Sequence, residues 1–168
     1  MSKRKWTIKS VIKEIISTLV VFFLISFVVN YIRKPEITEN IYSYELVDLK
    51  QNQVDFTHYK GKPLIVHFWA TWCPTCKLEA SNIEAISQEY NVVSIAVNSG
   101  TNGNLEAFMH KHNLSYKVVN DAEGKLAKKF NIEAYPSTLI YSSKGELKFT
   151  EVGYSTTLGL KARLGLAN

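Results

Sequence analysis

The feature that most constrains the fold of this chain is a pair of cysteines, Cys73 and Cys76, with two residues between them. They are the only cysteines in the 168-residue sequence. An apolar stretch rich in β-forming residues, 63–71, precedes the pair, and apolar residues at helical spacing, 77–86, follow it. The pair therefore lies where a buried strand passes into a helix. This context is typical of a disulfide that opens and closes in redox chemistry.

The chemistry of such a pair follows from its position at the start of a helix. We expect Cys73 at the N-cap and Cys76 in the first turn, where unpaired N–H groups and the helix dipole stabilise a thiolate. Pro74 suits the first helical position, which needs no N–H donor. The Cys73 thiolate would attack a substrate disulfide, and Cys76 would resolve the mixed disulfide. Because Pro74 and Thr75 bring no charge or ring nitrogen to the thiolate, the motif favours a reductase over a strong oxidant.

Three other uses of the cysteines fit the sequence less well. The adjacent Trp69 and Trp72 and the strand-to-helix position argue against inert core cysteines. A purely structural disulfide across so short a loop removes little entropy from the unfolded chain. A structural zinc site needs four ligands, but the sequence has no second cysteine pair and only four scattered histidines. We therefore predict a redox-active disulfide between Cys73 and Cys76, with no metal and no further cofactor.

The N-terminal region predicts a membrane anchor. Residues 15–32 carry no charge, reach the length of a transmembrane helix and are followed by no small-residue cleavage site. Five basic residues precede this segment and two follow it, so we expect the N-terminus, 1–14, in the cytoplasm. The sequence thus predicts a single-pass protein of the inner (cytoplasmic) membrane. A linker at 33–43 would lead to one catalytic domain, 44–168, in the periplasm or extracytoplasmic space.

The net charge of +5 resides in the N-terminal segment. Residues 1–34 hold seven basic residues and one acidic residue, which leaves the rest of the chain at −1. The catalytic domain therefore lacks the basic character that would predict a nucleic-acid partner. It also shows no obvious additional interface element, and we expect a monomer.

The remaining pattern alternates strands and helices and predicts an α/β fold. We expect a hairpin at 45–57, strands at 64–69, 91–97, 116–119, 137–141 and 147–152, and helices at 75–90, 105–112, 124–130 and 156–164. Strand–helix–strand units followed by a hairpin and a helix predict a mixed central sheet with helices on both faces. The hairpin at the start is an extension of this sheet, and one transmembrane helix precedes it.

From Val47 to its C-terminus the chain resembles the membrane-anchored thioredoxin-like proteins of the TlpA type, which are bacterial thiol–disulfide oxidoreductases. Three motifs carry the resemblance: Gly-Lys-Pro at 61–63, Phe-Trp-Ala-Thr-Trp-Cys-Pro-Thr-Cys-Lys-Leu-Glu at 68–79, and Tyr-Pro-Ser-Thr-Leu at 135–139. The combination is most similar to the ScsD-like branch, the suppressor-of-copper-sensitivity group. The resemblance implies a thioredoxin fold, a transmembrane electron donor, and an exported protein disulfide substrate connected with copper stress.

Two alternative functions stay open. The dipeptide Pro74-Thr75 also occurs in the thiol reductases of cytochrome c maturation. Those proteins usually carry a glutamate shortly after the later proline, where this chain has Ser137. The second alternative is a copper-binding module on the same fold. Copper carriers of this kind generally place three residues between their cysteines, whereas this chain has two.

The resemblance also implies roles for residues around the cysteine pair. Pro136 matches a cis proline that faces the active-site disulfide, and the alternative is an ordinary trans turn proline. A cis bond would leave the backbone of Tyr135 free to pair with an extended substrate. The residues expected to contact the substrate are Trp72, Pro74, Thr75 and Tyr135.

Two titratable residues complete the set of candidate catalytic groups. Glu79, one helical turn after Cys76, matches an acidic residue of the family that takes part in proton handling near the resolving thiol. The alternative is an exposed carboxylate that complements the helix dipole. His67 takes the strand position where thioredoxin carries a buried aspartate. It would either deprotonate Cys76 or be a core histidine with satisfied hydrogen bonds.

Overall fold

The computed structural model describes residues 8–32 and 41–167, with the side chains of the first range described from 12 to 25. The chain divides into two compact units, Met1–Lys34 and Pro35–Asn168. The start of the expected cytoplasmic N-terminus and most of the expected linker lie outside the described residues.

The first unit contains helix α1, which spans Ile8–Ile32. Its described side chains are all exposed, and Phe22 and Phe23 are each 69% exposed. Within the described part of the chain, no helix combines the length and the apolarity that a membrane crossing requires. The side chains of 26–32, the last part of the expected transmembrane span, lie outside the described residues.

A hairpin and a five-stranded mixed sheet organise the second unit. The hairpin pairs β1 and β2 antiparallel, and the sheet has the order β5-β4-β3-β6-β7. The first three strands of that order run parallel, whereas β6 is antiparallel to β3 and β7 is antiparallel to β6. The strands are β1 (Glu45–Val47), β2 (Gln53–Asp55), β3 (Leu64–Trp69), β4 (Asn91–Val97), β5 (Lys117–Asp121), β6 (Ser137–Tyr141) and β7 (Leu147–Val152).

Helices cover both faces of this sheet. Ile83 of α2, Leu105 of α3 and Leu160 of α5 belong to the core on one face, and Ala127 of α4 belongs to the core on the other. The helices of residues 41–167 are α2 (Pro74–Ser87), α3 (Asn102–Lys111), α4 (Lys125–Lys129) and α5 (Thr157–Leu166). The predicted mixed sheet, the helices on both faces and the N-terminal hairpin are confirmed.

The central strand, β3, is buried on both faces, which explains why its sequence, apart from His67, is apolar without alternation. Val66 and Phe68 point into the core that contains Phe130. Ile65 and Trp69 point the opposite way, into the core that contains the two cysteines. The same alternation places His67, midway between Ile65 and Trp69, on the face covered by α2.

The hairpin continues the sheet beyond its outer strand. Asp48 forms an antiparallel bridge with Val119 of β5, and the N–H of Leu49 donates to the carbonyl oxygen of Val118 at 2.9 Å. After β2 the chain enters a 3-10 helix, Phe56–Tyr59, which begins where the Asp55 side chain accepts the N–H of Thr57. The sequence had predicted that the strand would continue to 57.

Helix α3 begins three residues earlier than the sequence predicted. The Thr101 side chain accepts the N–H of Asn104, and the Asn104 side chain accepts the N–H of Thr101. This reciprocal capping supplies partners for N–H groups that would otherwise remain unpaired at the start of the helix. The other helix limits differ from the predicted limits by one to three residues.

Candidate functional site

The two cysteines lie at the N-terminus of α2 and form a disulfide. Cys73 is the N-cap residue, with extended backbone angles, and its Sγ accepts the N–H of Cys76 at 3.2 Å. Pro74 follows at the start of the helix, as predicted. Cys73 is 5% exposed and Cys76 is 2% exposed, so Cys73 is the more exposed of the two residues.

The loop before β6 faces this disulfide. The peptide bond between Tyr135 and Pro136 is cis, so the alternative of a trans turn proline is wrong. The carbonyl oxygen of Tyr135 lies 3.6 Å from Cys73 Sγ. The carbonyl oxygen of Pro136 accepts the N–H of Gly153 at 2.8 Å, which ties this loop to the end of β7.

Two aromatic side chains stand beside the disulfide. Trp72 is 56% exposed, yet its indole N–H donates to the carbonyl oxygen of Asn98 at 3.1 Å. Its ring meets the half-buried ring of Tyr135 edge to face, with centroids 5.7 Å apart. Pro74 is exposed and Thr75 is half-buried. The four residues predicted to contact substrate thus lie around Cys73 at the protein surface.

A buried pair of titratable groups lies between β3 and α2. Glu79 is fully buried, so the alternative of an exposed first-turn carboxylate is wrong. Its Oε1 accepts the N–H of Ser155 at 2.8 Å, whereas its Oε2 has no hydrogen-bond partner among the described residues. His67 is 1% exposed, and its Nδ1 lies 3.0 Å from Thr138 Oγ1. His67 Nε2 lies 4.0 Å from Glu79 Oε2.

Burial determines the charge of this pair. It lowers the pKa of His67 to about 3 and raises the pKa of Glu79 to about 7. For Glu79, the loss of hydration outweighs the hydrogen bond from Ser155, which acts in the opposite direction. Although 4.0 Å is an ion-pair distance, burial favours the neutral form of each partner, so the two are not a salt bridge. Near pH 7 the imidazole is uncharged, and the carboxyl group can both hold and release a proton.

Comparison with known proteins identifies the class of this site. Residues 37–150 match the AhpC/TSA family. The chain is 31% identical over 162 residues to a thioredoxin-like protein of Haemophilus influenzae, covering 95% of this chain and 96% of that protein. The chain belongs to this family of thioredoxin-like proteins.

A further relative agrees with this assignment, and a solved structure shares the fold. Sporulation thiol-disulfide oxidoreductase A of Bacillus subtilis is 33% identical over 109 residues, which cover 61% of this chain and 66% of that protein. A secreted disulfide oxidoreductase of Mycobacterium tuberculosis superposes with a TM-score of 0.66 at 24% identity, covering 77% of this chain and 99% of that one. The protein is therefore a thiol–disulfide oxidoreductase with the thioredoxin-like fold and a Cys73–Cys76 disulfide.

Sequence reasoning did not find three residues that support the site of this oxidoreductase. Asn98 holds the Trp72 ring through a backbone carbonyl, so its side chain gave no signal. Thr138 and Ser155 bond to His67 and Glu79 across 71 and 76 residues of sequence. Thr138 does lie within the motif at 135–139, two residues after the cis proline, and this position was the one available signal.

Proposed function

We propose that this oxidoreductase is a membrane-tethered reductase, in which Cys73 attacks the disulfide of an exported protein and Cys76 resolves the mixed disulfide. We infer the direction of electron flow from the polar contacts of Cys73 Sγ. Its polar contacts among the described residues are the N–H of Cys76 and the carbonyl oxygen of Tyr135. Beyond the start of α2 itself, a single N–H donor and a nearby carbonyl oxygen add little stabilisation to a thiolate. Strong oxidants of this class depend on strong stabilisation of their reduced form, so a weakly stabilised thiolate favours electron donation.

The reaction balances as two thiol–disulfide exchanges. The Cys73 thiolate attacks one sulfur of the partner disulfide, whose S–S bond breaks, and the other partner sulfur leaves as a thiolate that takes up a proton. Cys76 then loses its proton and attacks Cys73 Sγ, which releases the second partner sulfur as a thiol. The partner gains two electrons and two protons, and the enzyme ends with the Cys73–Cys76 disulfide. A thiol donor in the membrane would return two electrons and two protons to it.

Glu79 is proposed as the acceptor of the Cys76 proton. It lies three residues after Cys76 in α2, which places the two side chains on the same face of the helix. Both side chains are buried, so bulk water is a poor competitor for the proton. Because burial raises the pKa of Glu79 to about 7, the carboxylate is basic enough to take a proton from a thiol near neutral pH.

The proposed location and partners rest on the sequence. The basic residues before the apolar segment at 15–32 support a cytoplasmic N-terminus and a catalytic domain outside the cytoplasmic membrane. The resemblance to the ScsD-like branch supports a partner that is itself a thioredoxin-fold protein, in a pathway of copper tolerance. Pulse labelling with membrane-impermeant thiol reagents on intact cells would test the location of Cys73.

The reduction potential is the experiment that tests the direction. Equilibration of the protein in glutathione buffers, followed by thiol trapping, should give a value nearer the roughly −270 mV of thioredoxin than the roughly −120 mV of a strong oxidant. Cys76→Ala should then accumulate a mixed disulfide with the partner, whereas the matched variant Cys73→Ala should accumulate none. A potential at the oxidant end would reverse the assignment, and the pair would introduce disulfides instead.

A further inference from the structure

The pair formed by His67 and Glu79 has a property that neither residue has alone. Glu79 Oε2 is buried and without a hydrogen-bond partner among the described residues, and the titratable atom that faces it is His67 Nε2, 4.0 Å away. A hydrogen bond between them needs an approach of about 1 Å. The side chains are 2% and 0% exposed, so water does not compete for this contact.

The second nitrogen of the ring has its own partner. His67 Nδ1 lies 3.0 Å from the hydroxyl oxygen of Thr138 on β6. A hydroxyl donates or accepts, and a neutral imidazole carries one N–H and one acceptor nitrogen. The ring therefore has two arrangements in which both of its nitrogens are satisfied. In one, Nδ1–H donates to Thr138 and Nε2 accepts. In the other, the Thr138 hydroxyl donates to Nδ1 and Nε2–H donates.

We propose that His67 is a positioning residue for Glu79, whose ring accepts from the carboxylic acid in one tautomer and donates to the carboxylate in the other. Each protonation state of Glu79 then has a matching state of the ring, and the Thr138 hydroxyl turns to follow it. No charge is created on the imidazole in either state. This inference rests on the proposed role of Glu79 as the acceptor of the Cys76 proton, and it assigns His67 to Glu79 rather than to Cys76.

The other groups around the pair do not provide this function. From the segment before α5, Ser155 offers a backbone N–H, which donates to the opposite oxygen of the carboxyl group. Tyr116 lies just before β5. Burial, together with the charges of Glu84 and Glu79, raises the pKa of its phenol, so the phenol stays protonated. On the helix of Glu79 itself, the neighbouring titratable group is Cys76, the proton donor of the proposed step.

The consequence is that Glu79 titrates near neutral pH, where it is proposed to accept the Cys76 proton. A bond from Nε2–H to the ionised carboxylate is charge-assisted and stronger than the bond that the neutral acid would donate to Nε2. Loss of the ring would therefore cost the carboxylate more than the acid, and the pKa of Glu79 would rise. Protonated Glu79 could not accept the Cys76 proton at neutral pH. Resolution of the mixed disulfide would then require a higher pH.

An infrared titration of the full-length protein in detergent tests this inference directly. The C=O band of the protonated carboxyl group is followed from about pH 5 to 9 and assigned by its loss in Glu79→Gln. His67→Leu should move the midpoint upward by about one pH unit or more, a tenfold change in proton affinity. His67→Gln, which keeps a donor and an acceptor, should leave the midpoint within about half a unit of wild type.

Phe68→Leu is the matched control, because Phe68 is equally buried on the same strand but faces the opposite core. If His67→Leu leaves the midpoint in place, or if Phe68→Leu moves it as far, His67 is only a packed core residue. Should His67→Leu fail to fold, His67→Asn replaces it: its shorter amide cannot reach Oε2, so the same upward shift is expected.

A second readout separates this inference from the proposed function. Reaction of the reduced protein with 5,5′-dithiobis(2-nitrobenzoate) labels Cys73 first, and attack by Cys76 then releases a second thionitrobenzoate. The pH profile of this second phase should move with the infrared midpoint in His67→Leu. If Glu79→Gln leaves the profile unchanged, the role of Glu79 as proton acceptor fails. The infrared midpoints would still decide whether His67 controls Glu79.

Discussion

Replacement of Glu79 by glutamine should make the protein more stable at alkaline pH and leave it nearly unchanged at acidic pH. The folded-state pKa of Glu79 is about 7, against an ordinary value of 4.5, because burial removes the hydration of the carboxylate. A raised pKa means that the folded state holds the proton more tightly than the unfolded chain. The contribution of this group is therefore complete below about pH 4.5 and is lost as the pH rises to about 7.

The size of the effect follows from the same two values. A difference of about 2.5 pH units corresponds to about 3 kcal/mol of unfolding free energy. Glutamine resembles the protonated side chain, can still accept the Ser155 N–H and carries no charge at any pH. The difference in stability between Glu79→Gln and wild type should therefore rise from near zero at about pH 4 to about 3 kcal/mol at about pH 8.

Urea unfolding of the oxidised compact unit, Pro35–Asn168, measured by tryptophan fluorescence at both pH values, provides the test. Glu106→Gln, on the exposed side of α3, is the matched control and should change stability by less than about 0.5 kcal/mol at either pH. Equal differences for Glu79→Gln at both pH values would refute the argument that the buried carboxylate is penalised in the folded state.

Three further substitutions test other contacts of the site and the core. In steady-state assays, Trp72→Ala should raise the KM for a protein disulfide and leave the rate with a small aromatic disulfide unchanged, since the exposed indole is expected to contact only the larger substrate. An equal loss of activity with the two substrates would contradict this expectation. Ser94→Ala leaves the buried indole N–H of Trp69 without its acceptor at 3.2 Å, and urea unfolding should show a loss of about 1–3 kcal/mol. Ile83→Ala, at a fully buried position of α2, should cost about 2–5 kcal/mol in the same assay, and a smaller loss would mean that the core collapses around the cavity.

The sequence predicted the centre of the molecule well, because local pattern and tertiary position agree there. Apart from His67, residues 64–69 are apolar without alternation, and a strand buried on both faces requires such a sequence. The change to helical spacing after Cys76 located α2, and Pro74 marked its first turn. The cis bond before Pro136 came from the family resemblance alone, since only about one X–Pro bond in twenty is cis.

The burial of Glu79 was the main feature that sequence reasoning left undecided. The helical pattern did contain the signal, because Glu79 lies between Cys76 and Ile83 on the buried face of α2. A helical glutamate is normally predicted to be exposed, since an uncompensated buried charge is costly. What compensates this one is the N–H of Ser155, a partner 76 residues away, and the protonated state that burial favours.

The bridge between Asp48 and Val119 has a practical consequence for shortening the protein. Strand β5 lies at the border of the sheet, and the segment after β1 satisfies part of its outer backbone. A fragment that began at β3 would leave that border open, and an open strand border invites pairing with other chains. It would also remove Ile41 and Phe56, both fully buried. The hairpin therefore serves as a guard against aggregation, and a well-behaved soluble fragment should begin at or before Ile41.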